Sequence, residues 1–129
     1  MSLFNSIFGN SEEKKETVSK LNWIPLQAIQ QLDEIVKASN DKPVLVFKHS
    51  TRCSISRMAL KQFEQDFDWH DAITLYFLDL LAYREISNEI ANRFGVVHQS
   101  PQILLIKNRK SVFDASHSDI DATVLKNYL

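Results

Sequence analysis

Cys53 is the residue of this sequence whose type and setting best suit covalent chemistry, and it is the only cysteine. It lies in a polar stretch, Thr51-Arg52-Cys53-Ser54, whereas inert cysteines are usually buried among apolar neighbours. Apolar side chains then recur at helical spacing, so Cys53 is predicted to open a helix. A helix N-terminus and nearby cations favour the thiolate, the nucleophilic form of the thiol. The nearby cations are Lys48, Arg52 and Arg57.

Ser56 stands where a dithiol redox site would have its second cysteine, three residues after the first. A mixed disulfide on Cys53 therefore has to be resolved by a small thiol or by a second protein. Ser56 is a candidate catalytic residue that donates a hydrogen bond to the thiolate, or alternatively a first-turn residue that satisfies a backbone group. His49 also has two interpretations: it tunes or deprotonates Cys53, or it is an ordinary hydrogen-bonded loop histidine.

Composition excludes several other classes of function. The 15 basic and 16 acidic residues leave a net charge of −1, which argues against nucleic acid or an anionic membrane as partner. The four histidines are scattered and only one cysteine is available, so no metal site is predicted. A cysteine phosphatase would need an arginine six residues after its cysteine, where this sequence has Ala59. A lone free thiol suits the reducing cytosol, and we expect a cytoplasmic protein.

The elements that must position these residues alternate along the chain. Residues 1–21 are predicted to be a lead-in that ends in a polar linker, and they lack the features of a signal peptide. Its first ten residues are either a frayed terminus or a short amphipathic turn. Residues 22–129 form the predicted domain. Its strands are expected at 23–26, 43–47, 73–79, 102–106 and 111–115, and its helices at 29–36, 55–67, 85–94 and from 118 onward. Alternating units predict parallel strands, and the late hairpin predicts an antiparallel edge.

This order, with a Cys-x-x-Ser loop between a buried strand and a helix, resembles the thioredoxin superfamily over residues 22–129. The resemblance implies an α/β, thioredoxin-like fold: a central mixed sheet (βαβ-αββα) with helices on both faces. It also implies that Pro101 lies opposite the active cysteine and leaves the backbone at Ser100 free to pair with a substrate strand. We predict a cis peptide bond before Pro101; the alternative is a trans proline that simply starts the next strand.

The segment 47–56, which reads Phe-Lys-His-Ser-Thr-Arg-Cys-Ser-Ile-Ser, is similar to the active loop of the monothiol bacilliredoxins (YtxJ-like). That family has Thr-Cys-Pro-Ile-Ser after a Lys-His-Ser stretch, and the entry Trp23-Ile24-Pro25-Leu26 is also similar to theirs. Two positions depart from the pattern, because Arg52 is inserted before the cysteine and Ser54 replaces the proline.

The resemblance implies a bacterial monothiol thiol-disulfide oxidoreductase that removes a low-molecular-weight thiol from mixed disulfides on proteins through Cys53. Its co-substrate would be bacillithiol or glutathione with no bound cofactor, and its partners would be thiolated client proteins. The candidate substrate-binding residues are Lys48, His49, Arg52, Ser54, Arg57, Ser100 and Pro101. For the three cations, carboxylate binding and ordinary solvated surface charge are both open. A non-catalytic thioredoxin-fold module that senses redox state or binds a partner is the alternative function.

Overall fold

The computed structural model describes residues 21–129, so all but the last residue of the predicted lead-in lies outside the described residues. The strands are β1 (Ile24–Pro25), β2 (Val44–His49), β3 (Thr74–Asp79), β4 (Gln102–Lys107) and β5 (Lys110–Ser116). The α-helices of the described part are α1 (Gln30–Ala38), α2 (Ser54–Asp66) and α3 (Arg84–Phe94). Two 3₁₀ segments, His117–Asp119 and Ala122–Tyr128, follow β5.

The strands form one mixed sheet in the order β1-β3-β2-β4-β5. Strands β1 and β2 both run parallel to β3, whereas β4 is antiparallel to β2 and β5 is antiparallel to β4. The predicted parallel units and the antiparallel hairpin at the edge are thus confirmed. The hairpin turns at Asn108 and Arg109, whose positive φ angles of 50° and 71° suit a tight two-residue connection.

Strand β2 is the centre of the sheet, and all six of its residues are buried. Alternate side chains of a strand point to opposite faces. Leu45 and Phe47 join a core cluster with Phe63 of α2, while Val44 and Val46 join a second cluster with residues of α1 and α3. Helices therefore cover both faces of the sheet, as the sequence predicts.

The chain after β5 differs from the predicted α-helix, since it forms the two 3₁₀ segments. Ala122 and Leu125 are both fully buried and lie three residues apart, which matches the three residues per turn of a 3₁₀ helix. Asp121 caps the second segment by accepting a hydrogen bond from the Thr123 N–H at 2.9 Å. The buried positions therefore follow the 3₁₀ period in this segment.

Two further predictions concern single backbone positions. Gly95 follows α3 with φ of 66°, the left-handed conformation expected of a glycine that ends a helix. The peptide bond between Ser100 and Pro101 is cis, as predicted. Pro101 lies directly before β4, next to the central strand β2.

Candidate active site

Cys53 is the residue that precedes α2, and its backbone is extended, with φ of −105° and ψ of 121°. Its N–H donates to the Ser50 carbonyl at 3.2 Å, and its carbonyl accepts from the Arg57 N–H at 3.1 Å. The turn before the helix and the first turn of the helix thus hold the cysteine from both sides. Its side chain is partly exposed, and within residues 21–129 its sulfur makes no hydrogen bond. The structure therefore presents a free thiol at a helix start.

Ser56 is fully buried one turn into α2. Its Oγ accepts a hydrogen bond from the Ser50 N–H at 3.0 Å and lies 2.8 Å from His49 Nδ1. The backbone role that the sequence left open is thus one of the roles of this hydroxyl. The predicted hydrogen bond from Ser56 to the Cys53 sulfur is not formed in this arrangement.

His49 is the last residue of β2 rather than a loop residue, and it is buried. Its ring packs against Phe77 and Phe47, with centroid distances of 5.4 Å and 6.4 Å. Burial lowers the pKa of His49, nearby Asp79 raises it and Arg57 lowers it, with a net shift below the ordinary value. His49 is therefore neutral at neutral pH and can accept a proton at one ring nitrogen.

Lys48 points to the opposite face of β2 and is fully buried. Its ammonium donates to Gln102 Oε1 at 2.9 Å and to His98 Nδ1 at 2.8 Å. Burial lowers the pKa of Lys48 to about 8. A carboxylate on a small thiol cannot reach a fully buried ammonium, so the structure does not support the predicted substrate-binding role for Lys48 in this conformation.

Lys48 instead organises the loop that leads to Pro101. Gln102, which accepts from Lys48, donates through Nε2 to the Val97 carbonyl at 3.1 Å. His98 lies on the same loop, and its Nδ1 is 3.3 Å from the Oγ of Ser87 in α3. Burial lowers the pKa of His98, and the positive charges of Lys48 and Arg84 lower it further. Because a lysine ammonium only donates, the Nδ1 of a neutral His98 accepts from it.

The remaining candidates lie at or near the surface. Arg52, Ser54 and Arg57 are exposed, and Arg57 Nη1 donates to the Thr51 carbonyl at 3.1 Å, which holds its guanidinium beside the Cys53 turn. Pro101 is buried, and the Ser100 Oγ is buried without a hydrogen-bond partner among the described residues. Exposed apolar side chains also flank these positions: Ile55, Met58 and Val97.

The structure thus assembles two groups of side chains at one end of the sheet. Around Cys53 it joins His49 and Ser56, and beside Pro101 it joins Lys48, His98 and Gln102. The two groups are adjacent because Lys48 of β2 is paired with Gln102 of β4. His98 and Gln102 were not among the predicted site residues. A buried lysine requires acceptors, but the local sequence does not say which distant residues supply them.

Within residues 21–129 no three side chains of the metal-binding types come together as a metal site. None of the helices in this part of the chain has the length and apolar character needed to cross a bilayer.

Comparison with known proteins gives a consistent result. A family model of the monothiol bacilliredoxin BrxC matches residues 24–125. A solved structure of a candidate oxidoreductase with a thioredoxin fold is 31% identical, with a TM-score of 0.71 over 87% of this chain and 94% of that chain. Thioredoxin from Malassezia sympodialis is 18% identical, with a TM-score of 0.65 over 86% of this chain and 90% of that one. Spinach chloroplast thioredoxin f is 16% identical, with a TM-score of 0.63 over 89% of each chain. The last two establish the thioredoxin fold.

Proposed function

This chain belongs to the monothiol bacilliredoxin family and has a thioredoxin fold, and from that premise we propose that it removes a low-molecular-weight thiol from mixed disulfides on proteins. The observation that carries the proposal is the site itself: one partly exposed thiol at a helix start, with a serine where a resolving cysteine would stand. Such a site can form a mixed disulfide but cannot close an internal one.

The proposed reaction has two exchange steps. The Cys53 thiolate attacks the small-thiol sulfur of a protein mixed disulfide, and the protein thiolate leaves. Cys53 then carries the small thiol. A second molecule of small thiol attacks that sulfur, forms the small-molecule disulfide and releases the Cys53 thiolate. Each step forms one disulfide bond and breaks one, so a further reductant is needed only to recycle the small disulfide.

The co-substrate we propose is bacillithiol or glutathione, both of which carry carboxylates. Arg52 and Arg57 are exposed cations beside Cys53, and guanidinium groups bind carboxylates through paired hydrogen bonds. Ser54 is exposed in the same turn and can add a hydroxyl contact. The backbone at Ser100 is proposed to pair with the client chain next to Pro101.

We propose thiolated client proteins as partners in the cytoplasm, where a lone cysteine stays reduced. Nucleic acid and membranes are not part of this proposal, because the sequence carries a net charge of only −1.

Turnover distinguishes this proposal from a redox sensor. A client protein is loaded with bacillithiol, and separately with glutathione, and incubated with substoichiometric enzyme and the matching free thiol. We expect many client thiols to be released per Cys53 with at least one of the two thiols. The Cys53→Ser variant should release none while keeping the same denaturation midpoint, since the sulfur of Cys53 makes no hydrogen bond among the described residues. Release that stops at one equivalent would contradict the proposal and favour the sensing module.

A further inference from the structure

The imidazole of His98 has its proton placed by its neighbours. The Lys48 ammonium lies 2.8 Å from Nδ1 and can only donate, and the Ser87 hydroxyl lies 3.3 Å from the same atom. Nδ1 therefore carries no proton, and the proton of the neutral ring is on Nε2. Lys48 is itself held by Gln102 Oε1 at 2.9 Å. The buried lysine thus selects one tautomer of His98.

The Nε2–H of His98 is a donor that the fold itself does not use. His98 is exposed, and within residues 21–129 its Nε2 makes no hydrogen bond. The residue lies in the loop between α3 and β4, two positions before Ser100, whose backbone we propose to pair with the client chain. An oriented donor beside that backbone is therefore available to a substrate.

Arg84 supplies a second unused donor on the same part of the surface. It begins α3, and Ser87, which contacts His98, is three residues further along that helix. Residues three apart are neighbours on one face of a helix, so Arg84 and Ser87 both lie on the face toward His98. Arg84 is exposed, and its guanidinium makes no hydrogen bond or salt bridge in the part of the chain that the structure describes.

The charges around His98 favour a negative ligand. Burial lowers the pKa of His98, and Lys48 on β2 and Arg84 on α3 lower it further because both are positive. Lys48, with a pKa of about 8, is still charged at neutral pH, and Ser87, the other group in contact with the ring, is uncharged. A donor in such a positive field binds a carboxylate more strongly than it binds a neutral acceptor.

We propose that His98 and Arg84 form a carboxylate-binding site for the substrate of Cys53, a role that rests on the proposed thiol exchange. The Nε2–H of His98 and the guanidinium of Arg84 donate to the same carboxylate. That carboxylate belongs either to an acidic side chain of the client, next to its thiolated cysteine, or to the small thiol. The site is separate from Arg52 and Arg57, because those flank Cys53 at α2 whereas Arg84 belongs to α3 on the opposite face of the sheet.

Exchange rates with matched substrates test the site. Each substrate is a peptide whose one cysteine is in a mixed disulfide; the peptide has glutamate or glutamine beside that cysteine, and the small thiol is glutathione or β-mercaptoethanol. The parent should react faster with a carboxylate-bearing substrate than with its neutral match by about tenfold, the effect expected of one charge-assisted hydrogen bond. A preference within the peptide pair assigns the carboxylate to the client, and one within the thiol pair assigns it to the small thiol.

Three variants show whether that preference depends on the proposed donors. His98→Asn keeps an acceptor for Lys48 but lacks the distal donor, whereas the longer side chain of His98→Gln can place an amide donor near the Nε2 position. The preference should fall severalfold in His98→Asn and less in His98→Gln. Arg84→Gln changes an exposed residue, so it tests the site even if the His98 variants do not fold, and its preference should fall as well. A preference that is absent from the parent, or unchanged in both His98→Asn and Arg84→Gln, would overturn the proposal.

NMR of the His98 ring tests the site without any turnover. Nitrogen chemical shifts should show a bare Nδ1 and a protonated Nε2. The probes are saturating S-methylglutathione and the glutamate peptide with serine in place of its cysteine. At least one should raise the pH at which His98 titrates, because a bound carboxylate favours the imidazolium. A protonated Nδ1, or a titration that neither probe moves, would contradict the site. A protein that passes this test yet exchanges no thiol would instead contradict the proposed function, so the two failures are distinguishable.

Discussion

Ser56 occupies the position at which a second thiol would convert this site into a dithiol site. The Ser56→Cys variant should therefore expel a small thiol from Cys53 and close a disulfide between the two positions. Sulfur is a poor substitute for the oxygen that accepts from Ser50 and contacts His49, so the variant should also lose about 1–3 kcal/mol of stability. Mass spectrometry after addition of oxidised small thiol is the measurement.

In that experiment the parent protein is the matched control, and it should keep the small-thiol adduct until free thiol is added. A variant that also kept its adduct would mean that positions 53 and 56 do not face each other.

At the scale of single elements, the end of α3 gives a clean test of backbone strain. Gly95 has φ of 66°, and a Cβ built there would meet nothing within 4 Å. Replacement by alanine should therefore cost about 1 kcal/mol through the backbone alone, without any clash. Gly95→Asn is the matched control, because asparagine tolerates the left-handed conformation better, and it should cost less. Urea denaturation measures both; an equal loss for the two variants would contradict the backbone explanation.

Strand β2 contains a buried titratable residue, Lys48, which should make the unfolding free energy depend on pH. Below about pH 8 the lysine is protonated in both the folded and the unfolded chain. Between about 8 and its ordinary 10.5 the folded protein has lost this proton while the unfolded chain keeps it, so Lys48 makes stability rise with pH. The rise is at most about 3 to 4 kcal/mol, from about 1.4 kcal/mol per pKa unit.

Replacing Lys48 by methionine should abolish this contribution, so that the difference in unfolding free energy between parent and variant changes across that pH range. The variant also removes the shorter hydrogen bonds to Gln102 Oε1 and His98 Nδ1, and these atoms keep only the longer contacts to the Gln99 N–H and to Ser87 Oγ. Amide exchange at Gln99, whose N–H points to Gln102 Oε1 at 3.4 Å, should become faster. A parent and a variant with parallel pH profiles would contradict a buried, titrating lysine.

The same strand shows how far the sequence carries the fold and where it stops. The apolar run 43–47 predicts a buried central strand, and Gly95 predicts the end of a helix, because both are local signals. The prediction ends β2 at Phe47, since a lysine and a histidine follow, yet the strand continues to His49. Both polar residues are buried. The partners that satisfy the Lys48 ammonium, His98 and Gln102, are distant in sequence, and no local pattern reveals them.

The site residues divide in the same way. Cys53 and its place at a helix start follow from a polar loop between a strand and a helical repeat, and the structure confirms that placement. The contact between His49 and Ser56 depends on how the end of β2 faces α2, so the sequence could only offer each as a separate candidate. Sheet register also determines that the Cys53 turn and the Pro101 loop meet at one end of the molecule.

For the whole molecule, the sheet separates two cores of which only one supports the Cys53 helix. Phe63 of α2 is buried against Phe47 and Trp23, with ring centroids 5.7 Å and 5.9 Å away. Ile90 of α3 is equally buried, in the cluster on the opposite face. The two residues therefore allow the stability of the fold to be varied with and without a change beneath the active-site helix.

Phe63→Leu and Ile90→Val should each cost on the order of 1–2 kcal/mol of unfolding free energy, because each removes buried apolar volume. Only Phe63→Leu loosens the packing that holds α2 on β2, and with it the contact between Ser56 and the Ser50 N–H. Amide exchange at Ser50 and alkylation of Cys53 should therefore change in Phe63→Leu and stay at parent values in Ile90→Val. Equal changes in both variants would mean that the thiol responds to global stability and that the packing of Phe63 gives the active-site helix no specific support.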